Sequence, residues 1–143
     1  MKSIEEIIAH KGSVVLTVSP DDTVYDALAL MAQHGIGALL VVENEKPCGF
    51  VSERDYARKV ALQGLSSKEV PIRDIMASPV VYVQADLAID KALGIMSERG
   101  IRHLPVLGAD GVLCGVVSIR DLARAIIAEQ KFTIEQLQQY IYS

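Results

Sequence analysis

The stretch Gly49–Arg58, GFVSERDYAR, returns at Gly115–Arg124 as GVVSIRDLAR. In each copy a short apolar run ends in a serine, and a helical pattern follows. Ser52 and Ser118 sit at the helix N-cap, with Asp55 and Asp121 at the third helical position. Ser-x-x-Asp is close to a capping box, which stabilises a helix by about 0.5–2 kcal/mol per cap. Capping explains the serine and the aspartate and leaves the rest of the string unexplained. It needs no Gly49 or Gly115 upstream, and no Arg54 or Arg120 before the aspartate. A strand glycine admits another backbone or a ligand. A helix N-terminus offers free N–H groups and partial positive charge, which suit phosphate. Arginine adds charge-assisted hydrogen bonds to phosphate oxygens. An ionised carboxylate presents two acceptor oxygens, a match for paired ribose hydroxyls. Together these parts describe a nucleotide site, with phosphate at the helix mouth, sugar on the aspartate and base in an apolar slot.

Working outward, the repeat lengthens. Asp26–Met31, DALALM, aligns with Lys91–Met96, KALGIM; Gly35-Ile36 aligns with Gly100-Ile101, and Val41 with Val106. Two similar halves follow, each too small to be more than marginally stable alone. The pattern predicts an N-terminal helix over 1–13, repeats over 14–64 and 79–130, a linker with a short helical turn over 65–78, and a separate C-terminal helix over 131–143. In the first half, strands are expected at Val14–Val18, Ala38–Val42 and Gly49–Val51, with helices after Thr23 and over Arg54–Gln63. In the second, strands fall at Val80–Val83, His103–Leu107 and Leu113–Val117, with helices at Ala88–Arg99 and Arg120–Glu129. Thr133 with Gln136 reads as a capping box and Phe132 with Leu137 as a hydrophobic staple, which sets the tail apart.

Composition bounds the function. The chain has 143 residues, half of them hydrophobic, and a net charge of −4. No apolar run approaches the roughly 18 residues a membrane span needs. The start, MKSIEEIIAHKG, reads as an amphipathic helix, so the expectation is a cytoplasmic protein off the membrane. Acids and bases are interspersed without a basic block, which argues against nucleic acid. Cys48 and Cys114 each precede a motif glycine and read as small buried hydrophobes. No GxGxxG or Walker pattern, nucleophile constellation or metal-ligand cluster appears, and His10, His34 and His103 fall at unrelated places. No catalytic residue and no metal ligand is therefore assigned.

The string G-h-V-S-x-R-D, together with the preceding Gly-capped helix and the strand RHLPV, closely resembles a cystathionine-β-synthase (CBS) domain. Two in tandem resemble a Bateman module, and the ends of the chain resemble small stand-alone bacterial members. The resemblance implies an α/β fold of two β-α-β-β-α repeats, their sheets face to face, helices outside, and two clefts between the halves. It also implies an adenosine ligand, AMP, ADP, ATP or NAD, with S-adenosylmethionine as an alternative. Asp55 and Asp121 would take the ribose, and Ser52 and Ser118 phosphate or sugar. The base slots would comprise Thr17, Val18 and on to Pro20 with Ile36, Gly37 and Ala38, and Tyr82, Val83 and on to Ala85 with Ile101, Arg102 and His103, beside Pro105. Arg54, Arg58, Lys59, Arg102 and Arg120 are the phosphate candidates.

The copies are unequal. Gly37-Ala38 leaves room for a flat base where Arg102-His103 brings positive charge, and Lys59 has Ala125 as its counterpart. The expected role is a regulatory sensor, not an enzyme, that signals occupancy to a separate effector protein. A homodimer is expected through the helices flanking the sheets, with the tail helix as a clasp. The competing reading is a structural dimerisation module without ligand.

Overall fold

A computed structural model describes residues 3–11 and 15–142. The Val14 end of the first expected strand and Gly12–Val14 as a whole lie outside the described residues, as does Ser143. The chain divides into two compact units: one is 15–81, and the other joins the N-terminal segment to 82–143.

In the first unit, β1 (Thr17–Val18) runs parallel to β2 (Ala38–Glu43), which pairs antiparallel with β3 (Lys46–Ser52). Between β1 and β2 lies α2 (Val24–His34). Thr23 caps it by accepting from the Asp26 amide at 3.1 Å, and Gly35 ends it at φ 65°, a left-handed turn that glycine adopts without strain. After β3 the chain enters α3 (Glu53–Tyr56) and then a π-helical turn, Ala57–Ala61, marked by the Leu62 amide donating to the Ala57 carbonyl. The second unit repeats the plan: β4 (Val83–Gln84), α4 (Ile89–Arg99), β5 (His103–Leu107) and β6 (Leu113–Ser118), in sheet order β4-β5-β6. Pro105 is tolerated in a central strand because β4 reaches only Val106 and Leu107. The fold is therefore α/β, two β-α-β-β-α repeats, as the sequence led us to expect.

Three expectations change. First, the tail is not a separate helix. α5 runs unbroken over Ile119–Tyr142, and Thr133 Oγ1 donates to the Glu129 carbonyl at 3.0 Å. A threonine bonded back one turn is a helix-interior residue, so the capping box does not form. Second, β1 and β4 hold two residues each, shorter than expected. Third, residues 65–78 do not hang as a linker. Val70, Ile72 and Ile75 are buried in the core with Val24, Met31, Leu39, Val41 and Val51.

That third change exposes a further stretch of the repeat. Pro71 bridges Thr23, and the Ile72 and Arg73 amides donate to the Asp22 and Pro20 carbonyls. Ser3 bridges Ala88, and the Ile4 and Glu5 amides donate to the Leu87 and Ala85 carbonyls. SIEEII over 3–8 thus corresponds to PIRDIM over 71–76. Each repeat has a leader, and the leaders are exchanged: 71–77 packs on the first repeat, while α1 (Ile4–Lys11) packs on the second. Ile4 and Ile8 are buried there, worth roughly 1.5–3 kcal/mol each.

Candidate functional site

The motif glycines are filled from within. A Cβ on Gly49 would stand 2.8 Å from Met76 Sδ and 2.9 Å from the Ala77 carbonyl oxygen. A Cβ on Gly115 would stand 2.5 Å from Ile8 Cδ1. Met76 and Ile8 hold the same place in the two leaders, so both glycines seat a leader. The Phe50 and Ala77 amides also donate to each other's carbonyls, at 3.0 and 2.8 Å.

Beyond the glycine the strand delivers the serine to a helix mouth. Ser52 is extended, at φ −132° and ψ 162°, and its Oγ accepts from the Asp55 amide at 3.1 Å. Asp55 Oδ2 accepts from the Ser52 amide at 3.0 Å and from Ser52 Oγ at 2.9 Å. In the second copy the Asp121 amide donates to Ser118 Oγ at 3.1 Å, and Asp121 Oδ2 accepts from the Ser118 amide at 2.8 Å. The capping boxes are real, and Oδ1 of each aspartate takes no hydrogen bond among the described residues.

The second strand of each sheet closes the site. Ala38 pairs with Ser52 and His103 with Ser118. The Glu53 amide donates to the Gly37 carbonyl at 3.0 Å, and the Ile119 amide to the Arg102 carbonyl at 2.9 Å. The fold thus brings Gly37, Ala38, Ser52 and Asp55 together in one copy, and Arg102, His103, Ser118 and Asp121 in the other. Thr17 and Val18 pair with Leu40 and Val41, and Val83 with Val106, one strand over. Ile36, Gly37, Ala38, Arg102 and His103 are exposed, as are Arg54, Arg58 and Arg120; Ile101 is half-buried and Pro105 is buried. The arginines and His103 make no side-chain hydrogen bond or ion pair among the described residues.

Two lysines are engaged. Lys59 Nζ donates to the Ile75 carbonyl at 2.9 Å and lies 3.6 Å from Asp55 Oδ1. Lys11 Nζ, at the end of α1, donates to Asp121 Oδ2 at 2.7 Å and to the Val116 carbonyl at 3.1 Å. The cation that Ala125 lacks is supplied from the leader. Burial pushes the Asp121 carboxyl up, but the hydrogen bonds from Lys11 and the Ser118 amide, with the Lys11 charge, hold it below its ordinary range.

Sequence reasoning missed Lys11 and Glu53. Glu53 Oε1 lies 3.0 Å from where a Cβ on Gly37 would be, so a carboxylate flanks the first copy where the second carries Ile119. The Glu/Ile difference inside the repeated ten residues was the available signal. A cavity of about 390 Å³ lies between α1 and the second sheet, lined by Glu5, Ile8, Gln84, Asp86 and Cys114 among others. It includes none of the motif residues. Cys48 and Cys114 are half-buried, less enclosed than expected, and burial raises the pKa of both thiols. Among the described residues no cluster could hold a metal ion, and no helix is long and apolar enough to cross a membrane.

Comparison with known proteins adds the following. A profile of the CBS domain matches residues 4–62 and 72–128, so each match starts within a leader. A solved structure from Burkholderia ambifaria MC40-6, described as a candidate signal-transduction protein with CBS domains, is 45% identical with a TM-score of 0.74. The alignment covers 90% of this chain and 96% of that one. The CBS domain-containing protein CBSX3, mitochondrial, of Arabidopsis thaliana is 37% identical over 97% of this chain and 71% of its own length. An inosine-5'-monophosphate dehydrogenase of Methanocaldococcus jannaschii is 30% identical over 87% of this chain but only 23% of the enzyme.

Proposed function

Because the chain belongs to the CBS-domain family, as a tandem pair and hence a regulatory module, we propose that it senses an adenine nucleotide at its twinned Ser–Asp helix mouths. The observation that carries this reading is the duplicated arrangement itself. Each half-buried aspartate is fixed by a capping box with Oδ1 free of hydrogen bonds among the described residues, that of Asp55 3.6 Å from Lys59 Nζ, beside a helix N-terminus and an exposed Arg54 or Arg120. A ribose diol on the aspartate and a phosphate on the N–H groups and arginine satisfy these groups together. Arg102 and His103 favour AMP, ADP, ATP or NAD over an uncharged adenosine compound at the second copy. The match to a small fraction of a dehydrogenase supports a regulatory role without catalysis of its own. Occupancy would be passed to a separate effector protein by population shift.

A homodimer belongs to the same proposal. Ile127, Ile134 and Ile141 recur every seven residues along α5, with Leu137 beside them, all more than half exposed. A heptad seam of this kind suits the same seam on a second copy.

The test begins with mass spectrometry of small molecules released from the purified protein. Calorimetric titration with AMP, ADP, ATP, NAD and S-adenosylmethionine follows, on wild type, Asp55→Ala, Asp121→Ala and the double variant. Each single change should remove one binding event and the double change both. At about 100 Kd of ligand, binding should add ~2.7 kcal/mol of stability. No thermal shift with any of the five leaves the structural dimerisation reading.

A further inference from the structure

We propose that Lys11 is a latch on the second site, a competing occupant of Asp121 that couples ligand entry there to the N-terminal helix α1. The inference rests on the nucleotide reading above and assigns a regulation that only one of the two copies possesses.

Both aspartates face a lysine, but differently: Lys59 Nζ stands 3.6 Å from Asp55 Oδ1, too far for a hydrogen bond, whereas Lys11 Nζ donates to Asp121 Oδ2 at 2.7 Å. Asp55 Oδ2 holds the Ser52 amide and the Ser52 hydroxyl. Asp121 Oδ2 holds the Ser118 amide and, in place of the hydroxyl, the Lys11 ammonium. A carboxylate oxygen has two lone pairs, so Oδ2 is full in both copies. A diol that gives one hydroxyl to each oxygen must vacate one of them. In the first copy that requires rotation of the Ser52 hydroxyl on Oδ2, while Lys59, on the motif's own helix, stands off Oδ1 at 3.6 Å without a hydrogen bond to it. In the second it requires removal of a lysine in the last turn of α1, at 2.7 Å.

Lys11 is not isolated from the rest of the leader. The same helix buries Ile4 and Ile8, seats Ile8 on Gly115 and bonds back to Ala85 and Leu87. The lysine is thus the polar end of one docked element, and its second hydrogen bond, to the Val116 carbonyl, ties it to β6. In the first copy the direction is reversed. Lys59 belongs to the motif's own helix turn and reaches out to the leader carbonyl of Ile75. Ligand on Asp121 therefore acts on the leader's own side chain, whereas ligand on Asp55 does not.

The experiment titrates AMP and adenosine into the full chain in an Asp55→Ala background, with Lys11 intact, Lys11→Met, Lys11→Gln or Lys11→Arg. Hydrogen exchange of the amides over residues 4–11 is followed with and without AMP. An exposed ion pair of this type is weak, so Lys11→Met and Lys11→Gln should bind both ligands about two- to five-fold tighter, while Lys11→Arg stays close to the parent. AMP should speed exchange in α1 of the parent and leave it unchanged in Lys11→Met, where it is already fast. Equal affinity across all four proteins, or exchange in α1 indifferent to AMP in the parent, overturns the latch and leaves the nucleotide reading intact. Absence of binding in every variant overturns both.

Discussion

Ile8 Cδ1 lies 2.5 Å from the point where a Cβ on Gly115 would stand. The motif glycine is therefore a seat for the leader helix, and the contact predicts a compensating pair. Gly115→Ala overpacks a filled site and should cost about 1–3 kcal/mol. Ile8→Ala opens a cavity and should cost about 2–5 kcal/mol. The double variant should lose less than the sum, since the new methyl enters the space Ile8 leaves. Urea unfolding of the four proteins measures the coupling; strict additivity would contradict the seat.

The Lys11–Asp121 pair predicts a pH dependence of definite sign. The Asp121 carboxyl is held below its ordinary range in the fold, so its unfolded-state pKa, ~3.9, is the higher of the two. Its stabilisation is complete above that value and fades as pH falls through the folded pKa. Lys11→Met should thus be less stable than wild type at pH 7, with the gap narrowing below about pH 4. Asp121→Asn should narrow the same gap. Denaturant midpoints at several pH values measure it, and a gap that widens in acid would refute the assignment.

Unequal charge at the two mouths predicts unequal ligand preference. Arg102 is exposed beside Ser118 and Asp121, whereas Glu53 stands over Gly37 in the first copy. Arg102→Ala should weaken AMP several-fold more than adenosine, because a charge-assisted hydrogen bond acts on the phosphate alone. Equal losses in paired titrations would remove Arg102 from the phosphate.

Much of this was legible from residue order. Ser52, Asp55, Ser118 and Asp121 announced themselves because a capping box has a fixed spacing, and Gly35 and Gly100 because a left-handed turn favours glycine. The leaders were not legible as part of the repeat. SIEEII and PIRDIM share only two identical positions, Ile4 with Ile72 and Ile7 with Ile75, and each packs on the other repeat. Lys11 was invisible for a related reason: its partner lies far along the chain and is chosen by how α1 docks. The tail misled because Thr133, Gln136 and Leu137 mimic a helix start, yet no proline or glycine interrupts the helix before them.

That unbroken α5 yields the last prediction. A helix of 24 residues is about 36 Å long, and its C-terminal half exposes Ile134, Leu137 and Ile141. Exposed apolar residues at heptad spacing bury themselves most readily against the same stripe of another copy. Ile134→Glu with Leu137→Glu places charge in that seam without touching the buried core or either Ser–Asp motif. Sedimentation at micromolar concentration should show a dimer for wild type and a monomer for the double variant, with AMP binding retained in both. A double variant that stays dimeric moves the interface off α5 and onto other elements of the repeats.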